Sequence, residues 1–95
     1  MLEIQEQIQK LKLEIPKLDK ILLDKNYSKD DLGKIEYFIS SICTIAETTK
    51  GFNGSTTITR IRQLQSDKNS YYENLHLMVA NTKALLDNLD SYYGQ

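Results

Sequence analysis

One histidine, His76, and one cysteine, Cys43, are the only soft metal ligands and the only strong nucleophile candidates in this 95-residue chain. A zinc site needs several nitrogen or sulfur ligands together, and a catalytic thiol needs a base beside it. His76 and Cys43 fall on separate expected helices, and there is no second His or Cys to complete a site. Cys43, next to Ile42, reads as a small core residue; His76, one place beyond the apolar Leu75, reads as a flanking one. The carboxylate pairs Asp30 with Asp31 and Asp87 with Asp90 read as helix-start and surface charges. Acid–base catalysis requires environments that push carboxyl pKa values apart, and nothing in the sequence isolates these groups from water. The segment "GFNGST" lacks the Lys and the preceding strand of a phosphate-binding loop, and it lacks the sheet that stands beside a KH-type G-x-x-G loop. We therefore expect no enzyme, no catalytic residue, no metal site and no cofactor, and a function exercised through shape and surface.

Composition narrows the class further. Hydrophobic content of 40% with 26% charged residues is that of a single folded domain, too apolar for a disordered chain. The net charge of −1 supplies no basic field for nucleic acid. The charges divide unevenly: Arg60, Arg62 and Lys68 outnumber Asp67 in 51–72, whereas Glu73, Asp87 and Asp90 outnumber Lys83 beyond it. No apolar run is long enough to span a bilayer, and the mixed start "MLEIQEQIQK" is unlike a cleavable secretory leader. A lone cysteine fits a reducing compartment. The expected location is cytoplasmic, with any export proceeding without a cleavable signal.

The elements that must position a functional surface are helices. Ile4, Ile8, Leu11, Ile15, Leu18 and Leu22 recur at spacings of 4, 3, 4, 3 and 4, a heptad seam over a helix at about 2–25. Pro16 interrupts its hydrogen bonding at a cost of ~3 kcal/mol, less than the burial of six large aliphatic side chains gains, so a kinked rather than broken helix is expected. Ser28 with Asp31 forms a capping-box start for a second helix over 29–50, with Leu32, Ile35, Phe38 or Ile39, Ile42 and Ile45 inward and Gly51 as its left-handed stop. The Ser55-Thr56-Thr57 cluster offers an N-cap. From there Ile61, Leu64, Tyr71, Leu75, Met78, Leu85, Leu89 and Tyr92 keep one register without Gly or Pro, which predicts a single helix over 55–92 of roughly 55 Å. The expected fold is all-α: a helical hairpin turned at "GFNG" with a kinked or broken first arm, or alternatively an antiparallel three-helix bundle.

Two features point to a partner. The Ile4–Leu22 seam is longer than a small monomer requires, and such seams meet another helix, in the same chain or another. Among six tyrosines, Tyr71-Tyr72 and Tyr92-Tyr93 are adjacent pairs, so one ring of each can turn inward while the other offers contact area to a partner. The candidate partner-binding residues are Ile4, Ile8, Leu11, Ile15, Leu18, Leu22, Tyr71, Tyr72, Tyr92 and Tyr93, and the partner is another helical protein or a second copy.

The turn Phe52-Asn53-Gly54, set between two long apolar-patterned regions, resembles the aromatic-x-Gly turn of the WXG family of type VII secretion substrates and their small partners, with Phe in place of Trp. The resemblance implies a hairpin whose aromatic ring plugs the end of the two-helix interface and whose Gly supplies a special backbone conformation. It also implies a secretion partner or adaptor that binds an effector or a paralogue. The Tyr followed four residues later by an acid, which family members carry after the second arm, is absent: only "GQ" follows Tyr93. The small size, the lysines and the helical pattern also look like bacteriocin immunity proteins, commonly four-helix bundles with a basic C-terminal part. Another toxin- or phage-related helical binding protein is the remaining class.

Overall fold

The computed structural model describes residues 2–94 and contains, among them, four α-helices and no strand. The helices are α1 (Leu2–Asp24), α2 (Lys29–Thr48), α3 (Ser55–Ser66) and α4 (Leu75–Tyr93), with a short 3-10 turn at Lys68–Ser70 before α4. The all-α expectation holds. The first two helices end within two residues of their expected limits, and local chemistry explains why. Lys25 takes a left-handed φ of 61° and ends α1 one residue before Asn26. Ser28 caps α2 reciprocally, its hydroxyl accepting from the Asp31 amide at 3.0 Å while the Asp31 carboxylate accepts from the Ser28 amide at 3.2 Å. Gly51, at φ 84°, turns the chain out of α2.

The expected helix over 55–92 is two helices, broken at 67–74. Its apolar register passes through Lys68, which has nothing to bury, and the segment around it is rich in Ser66, Asp67, Asn69, Ser70 and Asn74. Short polar side chains of this kind compete for backbone hydrogen bonds and favour turns. The break lets α4 fold back on α3, so that the start of α3 lies beside the far end of α4: the Leu85 side chain reaches Gly54 and the Phe52 ring meets Tyr92. A straight helix of ~55 Å would not fit a molecule whose longest dimension is 38 Å.

Helix α4 is the element that the other three share, since α1, α2 and α3 all pack against it. Helix α1 runs antiparallel to α4, and polar contacts along the seam fix the register. Gln5 donates to the Tyr93 carbonyl at 2.8 Å, Lys12 pairs with Asp90, and Lys83 pairs with Asp19. Helix α2 runs parallel to α4, with Thr49 beside Tyr93, and α1 also lines α2. The core between them contains Ile8, Leu18, Ile35, Phe38, Ile42, Ile61, Leu75, Met78, Leu85, Leu86 and Leu89. Its buried Thr82 hydroxyl donates to the Met78 carbonyl at 2.7 Å, and no buried side-chain nitrogen or oxygen among the described residues lacks a hydrogen-bond partner.

Helix α1 continues through Pro16, whose ring faces solvent. The Lys12 carbonyl that loses its partner can therefore be hydrated, which makes the proline tolerable. Replacing Pro16 with Ala restores that helical hydrogen bond without disturbing the core. The variant should gain stability, by up to ~3 kcal/mol, as read by denaturant titration; a loss would mean that the proline is needed for packing on α4.

Candidate partner-binding surface

The heptad seam of α1 faces inward. Ile8, Leu11, Leu18 and Leu22 are buried, and Ile4 and Ile15 are partly buried against the same core. The chain's own α2 and α4 cover this seam, so a surface open to a partner in the folded chain lies elsewhere.

The four candidate tyrosines close the two ends of the molecule. At one end Tyr71 is half-buried, and its hydroxyl donates to Glu36 on α2 at 2.9 Å. Tyr72 is exposed, stacks on Tyr27 at 6.2 Å between ring centroids, and so joins the α1–α2 loop to the 67–74 break. At the other end the Thr49 hydroxyl donates to the Ile45 carbonyl at 2.6 Å, which leaves the Tyr93 hydroxyl to donate to Thr49, also at 2.6 Å. The Tyr92 hydroxyl donates to the Lys50 carbonyl at 2.7 Å.

The Phe52-Asn53-Gly54 turn belongs to this second end. Phe52 is half-buried and packs edge-on against Tyr92, with centroids 5.6 Å apart. Gly54 has φ −114°, an ordinary value, so the reason for a glycine here is space rather than a left-handed backbone. A Cβ at Gly54 would lie 2.8 Å from the Phe52 ring and 2.9 Å from Leu85. Gly54 itself, and not the Ser/Thr cluster, stands at the N-cap of α3; the Ser55 hydroxyl turns back to Asn53 at 3.1 Å. Gly51 is the left-handed residue, and it too is crowded: a Cβ there would meet the Tyr92 hydroxyl at 2.8 Å.

An open groove runs along the α1–α2 seam on the side away from α4. Two adjoining depressions of about 480 and 630 Å³ share Leu11, Glu14 and Tyr37. Leu11, Leu18, Phe38 and Ile45 lie beneath its floor and are themselves buried, so the apolar side chain that reaches solvent here is Tyr37, 71% exposed. One turn before Tyr37, Gly33 lies within α2, where a glycine costs about 0.5–1 kcal/mol relative to alanine. A Cβ on Gly33 would meet nothing within 4 Å, so no packing inside the chain accounts for the missing side chain. Tyr37 and Gly33 were not among the sequence candidates. The available signal was a tyrosine on the polar face of an amphipathic helix with a glycine four residues before it.

Burial pushes the Cys43 thiol up, against a smaller opposing effect of Arg62. Such a thiol stays protonated and unreactive. His76 is exposed, and no group of three or more metal-capable side chains occurs among the described residues. Tyr71 is pushed up to about 12, first by burial and then by its hydrogen bond to Glu36.

Three outcomes follow. Because the folded state holds the Tyr71 proton more tightly than the unfolded chain, its stabilising effect is complete below pH ~10 and is lost as pH rises towards 12. Thermal melts of Tyr71→Phe should show a shallower decline over that window than the parent protein. Gly54→Val should destabilise the fold by steric crowding, and Phe52→Ala by about 2 kcal/mol through loss of its half-buried ring, both read by circular dichroism. A Gly54→Val melt unchanged from the parent would contradict the close approach.

Compared with known protein families, with curated proteins and with solved structures, the chain matches none of them.

Proposed function

We propose that this chain is a non-enzymatic protein-binding module that receives a helix of another protein along the α1–α2 groove. The observation that carries this reading is the exposed Tyr37 ring standing in an apolar trough beside an unexplained glycine. Tyrosines in such settings give a partner large contact area at low entropic cost. No described helix is long and apolar enough to cross a membrane, which suits a partner-binding rather than a membrane-spanning role.

Within this class two narrower readings remain, and different features favour each. The type VII secretion partner rests on the Phe52-Asn53-Gly54 turn, and the hairpin it implies needs α1 and α2 to run on as one arm. The packing of α1 along α4 and the break at 67–74 favour the second reading, a bacteriocin immunity protein, because they give four helices around one core. The acidic excess beyond residue 72 weighs against it.

Two assays separate these readings. Where a large helical effector is encoded beside the gene, co-expression with it should yield a stable complex if the chain is a secretion partner. Expression in a cell sensitive to a neighbouring toxin should confer protection if it is an immunity protein. In whichever assay scores, Tyr37→Ala should keep the melting temperature while weakening binding by ~2 kcal/mol. Retention of full activity by that variant would remove the groove from the function.

A further inference from the structure

We infer that the α1–α2 groove is built for an acidic amphipathic helix; this rests on the protein-binding reading and specifies the partner's chemistry. The lining carries Lys10, Lys17, Lys29 and Lys34 against Glu14 and Asp30, an excess of positive charge on a chain that is net negative. The two carboxylates are already engaged in part. Glu14 lies 3.4 Å from Lys17, and Asp30 sits in the first turn of α2, where the helix dipole favours a negative charge. Lys10, Lys29 and Lys34 make no ion pair among the described residues, whereas Lys12, Lys83 and Arg62 are used to tie helices together. The groove therefore presents three free ammonium groups along an apolar trough.

Its dimensions suit a helix. The α1 wall from Gln7 to Leu18 spans about 16 Å and the α2 wall from Lys29 to Ile45 about 24 Å, which accommodates a helix of roughly three to four turns. Leucines at i, i+3, i+4 and i+7 would pack on the Tyr37 ring and the aliphatic stems of the lining lysines, and carboxylates on either flank would meet their ammonium groups. Gly33 admits this helix. A side chain there would touch nothing in the free protein but would stand in the path of a helix seated between Lys17 and Tyr37.

The test uses the full chain and three synthetic helical peptides of about 14 residues with the same leucine pattern. One has Glu at its polar flanking positions, one has Lys, and one has Glu with the leucines replaced by serine. Binding is read by fluorescence anisotropy, the bound site by amide chemical shifts, and self-association by light scattering. The acidic leucine peptide should bind at least tenfold tighter than either control, weaken with added salt, and shift Gly33, Tyr37 and their neighbours. Gly33→Gln should melt at or above the parent temperature while losing tenfold or more in affinity. The double variant Lys10→Glu, Lys34→Glu should invert the preference between acidic and basic peptides. Equal binding of both charged peptides, unchanged binding by Gly33→Gln, shifts confined to another face, or a second copy of the chain filling the groove would each overturn the inference. Preference for the basic peptide, blocked by Gly33→Gln, would overturn the acidic occupant yet leave the groove as a binding site. Failure of the protein-binding reading itself would be seen separately, as the parent chain giving neither a complex in the co-expression assay nor protection in the toxin assay.

Discussion

The fold depends on covering α4 from three directions. Its buried side chains are not a single file: Met78 with Val79 and Leu85 with Leu86 are adjacent pairs, both members buried, so the apolar arc is wider than one helix can cover. A two-helix seam requires a narrow stripe, because residues beside it stay in water. Helices α1, α2 and α3 each take part of the arc, and Thr82 at its centre is tolerated because its hydroxyl bonds back within the helix. The same widening occurs in α2, where Phe38 with Ile39, Ile42 with Cys43 and Ile45 with Ala46 are all buried.

These doublets show how far the sequence could be read. Helix existence and most boundaries were legible because local chemistry decides them: the Ser28–Asp31 cap and the Gly51 stop act over a few residues. The inward side of α1 was legible from its spacing, but which helix covered it was not, because a seam carries no label for its partner. The break at 67–74 was hidden by a register that continues across it. Residues 64 and 75 are eleven apart and nearly in phase on an ideal helix, so periodicity alone cannot reveal the turn. The short polar residues between them carried the signal.

The candidate surface was harder still. The expected contact residues were the most patterned apolar ones, and pattern is what a core produces. Tyr37 and Gly33 break the pattern of α2, one by exposing a ring and the other by omitting a side chain, and neither departure has meaning until their neighbours on α1 are known. The aromatic turn at Phe52 had the opposite fate. Its local reading, a crowded junction sealed by a ring, is sound, but the ring it meets belongs to the far end of the same chain.

The contact between Gln5 and the Tyr93 carbonyl joins residues 88 positions apart. It places the first turn of α1 against the last turn of α4, so a short flexible linker could splice these ends while the exposed segment at 67–69 is opened. Such a circular permutant would retain every helix and exchange only the order in which they are connected. Closing α1 onto α4 would then become a local event rather than the longest loop closure in the chain, and α3 would inherit that entropic burden.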